Sequence, residues 1–219
     1  MNKKPLLIAT LAVAAAVFAV GAWYANRPAP VGDGPPAIAQ ADRLIRAYSP
    51  VMGPDDAAVT IVEFFDPACE ACRAFHPIVK DIMAQYPDDV RVVLRYTPFH
   101  GDPSEVAIKT LEAARLQGVF LPVLEALLER QNLWASHGAP AAERIMIIAG
   151  SVGLDVEAAE TQIRMPDIVA VLNQDKADVE AVGVRQTPTF FVNGKPLEPF
   201  GEATLRALVK AEVNKAGKS

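Results

Sequence analysis

The chain has two cysteines, and both fall in one tetrapeptide, Cys69-Glu70-Ala71-Cys72. A structural bridge normally closes a long loop, because the entropy removed from the unfolded chain grows with loop length. This pair would close almost none, so stabilisation is a poor reason for it. A closed zinc site wants four Cys or His ligands at paired spacings. Only His76, His100 and His137 are on offer besides, at none of those spacings. The remaining chemistry is exchange: a thiolate attacks a disulfide sulfur to form a mixed disulfide, and a second thiol three residues on can resolve it.

A thiolate at the first cysteine is stabilised by free backbone N–H groups and the positive end of a helix dipole. The surrounding pattern supplies both. Val59 to Phe65 is a nearly continuous β-branched and aromatic run, as in a strand covered on both faces. It leads straight into the cysteines. From Cys72 onward, Phe75, Ile78, Val79, Ile82, Met83 and Tyr86 recur at helical spacing as one buried stripe. The cysteines therefore sit where a strand turns into a helix, with Cys69 in the first turn. Asp66 and Pro67 end the strand and leave Cys69 the more exposed of the two. Pro77, a little over one turn after Cys72, removes a backbone donor and predicts a kink.

Val90 to Tyr96 reads as a second strand, joined to the first by a right-handed crossover through that helix. Between Pro103 and Val182 helical periods such as Leu121, Leu124, Leu127 and Leu128 are broken at Gly118, Pro140, Gly150 and Gly153, as in a helical insertion. After Gly183 come Thr187-Pro188, a strand Thr189 to Val192, an Asn193-Gly194 hairpin turn and a return strand Lys195 to Leu197. A last amphipathic helix starts near Glu202, with Leu205, Leu208 and Val209 on one face.

Three further positions could bear on the chemistry. Glu63 lies inside the first strand, on the face of Ile61 and Phe65, which predicts a buried carboxylate. Either a basic neighbour such as Arg95 neutralises it, or it lies under the cysteines and takes the Cys72 proton through water. Thr187-Pro188 is either a plain loop proline or a cis peptide. In the latter case the carbonyl and N–H of Thr187 face outward beside the cysteines, as an edge for a substrate strand. His76 reads as a surface or capping residue, and His100 and His137 receive no role.

The 219 residues, 51% apolar, are enough for one domain with a sizeable insertion. A net charge of -5 with scattered Lys and Arg leaves no basic stripe, which excludes nucleic acid as a partner. Lys3 and Lys4 precede an uncharged, mostly apolar run from Pro5 to Ala22 and then Trp23-Tyr24. Length and the aromatic pair favour an uncleaved anchor with its N-terminus inside. Val20-Gly21-Ala22 also ends like a signal-peptidase site. Residues 1–24 are thus a signal-anchor or signal peptide, 25–36 a Pro/Gly-rich linker, and 37–219 the folded domain, with the insertion at about 103–182.

With these residues in place, the chain resembles the DsbA-like branch of the thioredoxin-fold oxidoreductases over nearly all of Pro50 to Lys210. The resemblance rests on Glu63-Phe-Phe-Asp-Pro-Ala-Cys69-Glu-Ala-Cys72, on Pro77, on the helical insertion, and on Thr187-Pro-Thr-Phe-Phe-Val-Asn-Gly194. It implies an α/β thioredoxin-like fold with a mixed central sheet and an inserted helical subdomain, here preceded by the N-terminal hydrophobic segment. It also implies a nucleophilic Cys69, a resolving Cys72, a cis-Pro188 facing them, a buried acid at Glu63, and no cofactor or metal. Strong oxidants of this branch carry proline and histidine between the cysteines, where this chain has Glu70 and Ala71. Thr187 before the proline is more similar to reductases and isomerases. Glu70 is expected to oppose the dipole at Cys69 and Ala71 to offer no imidazole, for a potential nearer about -180 mV than about -120 mV.

The resemblance therefore implies a periplasmic thiol-disulfide oxidoreductase. Its partners would be cysteine-containing exported proteins and a membrane or periplasmic redox partner, with membrane attachment through the N-terminal segment. A reductase or isomerase dedicated to one periplasmic partner is an alternative. Another is a redox-inert module that holds unfolded chains on apolar surface around Phe64, Phe190 and the insertion.

Overall fold

All seven residues of strand β2, Val59–Phe65, are buried, and its neighbours explain why. In the structure, a computed structural model that describes residues 42–136, 138 and 140–217, β2 lies at the centre of a five-stranded sheet of order β1-β3-β2-β4-β5. Strand β3, Val90–Tyr96, runs parallel to it from Val59↔Val90 to Phe65↔Tyr96. Strand β4, Thr189–Val192, runs antiparallel from Ile61↔Val192 to Phe64↔Thr189. Two-residue strands close the edges, β1 at Val51–Met52 and β5 at Lys195–Pro196. The sheet is mixed, as the α/β thioredoxin-like expectation requires.

Alternation along β2 sends Ile61 and Phe65 to one face and Val62 and Phe64 to the other. On the first face the core gathers Val92, Leu94, Phe190 and Val192 with Val79 and Ile82 of helix α1, Glu70–Gln85, and Leu205 and Val209 of α8, Glu202–Ala216. Each such side chain contributes about 1.5–3 kcal/mol when fully buried. The second face holds a smaller cluster, with Val93, Phe191, Leu44, Val179 and Val184. The helix α1 runs on through Pro77.

Between β3 and β4 the described residues form six helices: α2 Asp102–Leu116, α3 Phe120–Glu129, α4 Gln131–Trp134, α5 Glu143–Gly150, α6 Val156–Gln162 and α7 Pro166–Val182. Leu124, Leu127 and Leu128 are buried as their spacing predicts, but Leu121, in the first turn of α3, is 47% exposed. Gly183 ends α7 in the left-handed region at φ 80°, which favours glycine, and aims the chain at Thr187. Asn193 and Gly194 also have positive φ, 48° and 78°, the requirement of a tight hairpin turn. The return strand stops one residue short of Leu197, whose N–H still donates to the Phe190 carbonyl at 3.0 Å.

A buried ion cluster fastens α7 to the sheet. Arg95 of β3 is fully buried and reaches Asp175 and Asp178 of α7, each at 2.7 Å. Arg46 pairs with Asp178 at 2.7 Å, and Tyr48 donates to Asp175 at 2.8 Å. This arrangement corrects one reading of Glu63. In the parallel register Glu63 pairs with Leu94 and Arg95 with Phe64, so strand alternation puts the guanidinium on the opposite face from Glu63. There it is satisfied by two aspartates, with the Phe64 ring 5.7 Å away.

Among the described residues no helix is long and apolar enough to cross a membrane. The segment Pro5 to Tyr24, the linker after it and His137 lie outside the described residues.

Candidate active site at the turn from β2 to α1

Four residues, Asp66 to Cys69, connect the central strand to α1, and polar side chains fix this turn from two sides. The fully buried Asp66 carboxylate accepts from the Ala68 N–H at 2.9 Å through Oδ1. Its Oδ2 accepts from the N–H groups of Phe99 at 2.8 Å and His100 at 3.1 Å, and lies 2.7 Å from His100 Nδ1. From the insertion, Gln131 Nε2 of α4 donates to the carbonyls of Pro67 at 2.7 Å and Cys69 at 3.0 Å. Cys69 thereby becomes the N-cap residue of α1, in extended conformation at φ -78°, ψ 123°, with no side-chain cap. The first-turn N–H groups that a cap would engage are left for its sulfur.

The two thiols are free and differ in environment. Cys69 is 6% exposed and Cys72 0%. Cys69 Sγ lies 3.2 Å from the carbonyl of Thr187, to which the thiol donates. Hydrogen bonding from the Cys72 thiol, then from the Thr187 side chain and the N–H groups of Cys72 and Ala71, outweighs burial and pulls the Cys69 thiol down to about 5. Burial, the hydrogen bond to Cys69 and the nearby charge of Glu63 push the Cys72 thiol far up, opposed by the Asp66 N–H, 3.5 Å from its sulfur. Burial, then the charge on Cys69, raises the Glu63 carboxyl to about 8. Glu63 Oε1 is buried without a hydrogen-bond partner among the described residues.

Of the residues singled out in the sequence, the structure brings Cys69, Cys72 and Thr187 into contact and places Glu63 within electrostatic reach of both sulfurs. The Thr187-Pro188 bond is cis. Glu70 and Ala71 are exposed on the first turn of α1. His76 differs from its surface reading: its Nε2 is buried with no hydrogen-bond partner among the described residues, and burial lowers its pKa. Phe64 and Phe190, named as apolar surface for holding unfolded chains, are 0% and 1% exposed and offer none. Phe200, 44% exposed, instead stacks on Phe190 beside a cavity of about 400 Å³ lined by Val184, Gln186 and Leu197.

Sequence reasoning missed Asp66 as a hub, His100 and Gln131. An aspartate that ends a strand three residues before a cysteine at a helix start is a turn signal, since Asp readily bonds backbone two residues on. His100 and Gln131 arrive from 34 and 64 residues away and carry no local signal. Among the described residues no group of His, Cys, Asp and Glu could hold a metal ion.

An N-cap thiol held as thiolate, with a buried thiol one turn on and a carbonyl edge against it, can form and break mixed disulfides. With the mixed sheet it defines a thiol-disulfide oxidoreductase on a thioredoxin-like scaffold. The thioredoxin family matches residues 46–211, and the chain belongs to that family, with the fold of its DsbA-like members. A thioredoxin-like oxidoreductase from Silicibacter pomeroyi DSS-3 superposes with a TM-score of 0.68 at 30% identity, covering 81% of this chain and 98% of that one. BdbD from Bacillus subtilis shares the fold, with a TM-score of 0.66 at 24% identity over 76% of this chain and 93% of its own. In sequence, the chain is 34% identical over 162 residues to a Na(+)/H(+) antiporter NhaA from Herminiimonas arsenicoxydans. That match takes in 74% of this chain but only 25% of the antiporter, so the chain spans about a quarter of that relative's length.

Proposed function

We propose that the protein exchanges disulfides with the cysteines of exported proteins on the outer side of a bacterial cytoplasmic membrane, with Cys69 as nucleophile and Cys72 as resolving thiol. The observation that carries this reading is the asymmetry of the pair: one thiol is drawn down to about 5 and the other is pushed far up. The Cys69 thiolate attacks a client disulfide, giving a Cys69–client mixed disulfide and a client thiolate. Cys72 loses its proton and attacks Cys69 Sγ; the Cys69–Cys72 bond forms and the second client sulfur leaves as a thiolate. The client is reduced and the pair oxidised, and the reverse sequence oxidises a client dithiol. Glu63 takes the Cys72 proton through water. Once Cys69 is tied up in the mixed disulfide its charge is gone, which removes one of the two causes that keep the Glu63 carboxyl protonated. Burial still holds the carboxyl up, so its pKa falls only part of the way, toward the range in which it accepts the Cys72 proton at that step.

Thr187, through the carbonyl that already meets Cys69 Sγ, offers the edge on which an extended client segment pairs. Glu70 and Ala71 tune the potential. A first-cysteine pKa of about 5 falls between about 3.5 for a strong oxidase and about 7 for a general reductase, which supports an isomerase-like potential near about -180 mV. Attachment through Pro5 to Tyr24 and recycling by a membrane or periplasmic redox partner complete the reading. Cys69→Ser should abolish exchange, and Cys72→Ser should accumulate client adducts that non-reducing gels and mass spectrometry reveal. Adducts formed through Cys72 in the Cys69→Ser protein would reverse the assignment.

A further inference from the structure

Asp66 belongs to no part of the exchange described above, yet it touches both ends of the motif. Its carboxylate is fully buried and accepts from Ala68 N–H, just before Cys69, while its own N–H reaches Cys72 Sγ at 3.5 Å. That N–H favours the charged form of Cys72, against the burial that disfavours it. The carboxylate is anchored in turn by the loop after β3, through the N–H groups of Phe99 and His100 and through His100 Nδ1 at 2.7 Å. The imidazole is the only side chain in this set of donors. It is 36% exposed, whereas the carboxylate it meets has no exposure at all. A buried carboxylate deprived of one donor must recover it from water, and that shifts the residue that carries it.

We propose that His100, acting through Asp66, is a positioning residue for the resolving step: it holds the Asp66 N–H against Cys72 Sγ and so sets how readily Cys72 attacks the mixed disulfide. The proposal rests on the assignment of Cys69 as nucleophile and Cys72 as resolving thiol. It separates the two steps. Cys69 takes its stabilisation from Cys72, Thr187 and the first-turn N–H groups, so its attack depends little on His100. Resolution loses a donor that meets the developing Cys72 thiolate, and slows.

Oxidised glutathione serves as the probe, with the full chain in its reduced form. Attack gives Cys69–glutathione and one glutathione thiol. Resolution gives the Cys69–Cys72 disulfide and the second. Acid quench and mass spectrometry follow the adduct over a single turnover. His100→Ala is expected to slow resolution about tenfold, as for loss of a charge-assisted hydrogen bond, with attack changed less than about twofold. His100→Asn, whose amide N–H can take the place of Nδ1–H, should recover most of the resolving rate. Resolution in His100→Ala within about twofold of wild type, an equal fall in both steps, or an Asn variant as slow as the Ala variant would each overturn the proposal. Absence of any Cys69–glutathione adduct in Cys72→Ser would instead remove the cysteine assignment itself, so the two failures are distinguishable.

Discussion

Glu63 has a carboxyl oxygen without a hydrogen-bond partner among the described residues, and its pKa is raised from 4.5 to about 8. Below about pH 4.5 the folded and unfolded chains both hold its proton. From there to about pH 8 only the folded chain does. The unfolded state binds fewer protons across that window, so this residue makes stability fall as pH rises, by about 1.4 kcal/mol per pH unit at most. Cys69 runs the other way, since its folded pKa is depressed from 9.0 to about 5. The informative comparison is therefore Glu63→Gln against wild type. In urea unfolding of the reduced proteins the variant should be more stable, with an advantage on the order of 2–4 kcal/mol larger at pH 8 than at pH 5. An advantage that does not change with pH would mean that Glu63 is ionised in the folded state throughout. The same variant should slow release of the Cys69 adduct. Glu70 sets the second test at this scale. It suits the positive end of α1 but competes with the Cys69 thiolate for it. Glu70→Pro with Ala71→His should lower the Cys69 pKa below about 5, by up to about one unit, and make the pair more oxidising. Thiolate absorbance against pH measures this, and an unchanged or higher pKa rules out Glu70 and Ala71 as tuning residues.

At the scale of elements, α7 has to be held in place because its end launches the Thr187 loop. The Asp175 carboxylate also accepts from the Tyr96 N–H at 2.8 Å, completing the backbone bonding of β3 where β1 no longer reaches. Two buried aspartates share the guanidinium of Arg95, and Arg46 with Tyr48 bring in the chain that enters the domain. Arg95→Met leaves buried Asp175 without its cation, held only by Tyr48 and the Tyr96 N–H, and leaves Asp178 with Arg46 as its cation, and should cost about 3–5 kcal/mol in denaturant unfolding. It should leave the Cys69 pKa near its wild-type value, because the cluster lies across the sheet from the cysteines. A Cys69 pKa that moves with Arg95 would show that the two faces are coupled. This cluster also marks where sequence reasoning stops. The β2 run, the α1 stripe and the Asn193-Gly194 hairpin were legible because each is a local pattern of period two, period 3.6 or a turn pair. Arg95 with Asp175 and Asp178, and Gln131 on the Cys69 carbonyl, join residues 62 to 83 positions apart. No local period encodes such a pair. Adjacency of strands is legible while register is not, which is why Arg95 stands in the sequence as one of two candidate accounts of Glu63.

For the molecule as a whole, the proposed membrane anchor carries a prediction of its own. Eighteen residues from Pro5 to Ala22 would span about 27 Å as a helix, close to the about 30 Å of a bilayer core. Lys3 and Lys4 favour an inside N-terminus, and an anchor so oriented would put the cysteines outside. Eleven residues from Asn26 to Pro36 can extend at most about 40 Å, the reach that the Pro/Gly-rich run alone would give a tether. The full-length protein should then fractionate with membranes and resist extraction by high salt or alkaline carbonate, because apolar burial rather than charge retains it. Protease added to spheroplasts should cut in the tether and release a soluble fragment that begins before Val51 and still forms Cys69 adducts with oxidised glutathione. N-terminal sequencing of the untreated protein provides the decisive reading. A start at Met1 or Asn2 in the membrane fraction supports the anchor, whereas a start at Trp23 in the soluble fraction means that Val20-Gly21-Ala22 is a cleavage site and that the exchange domain diffuses freely.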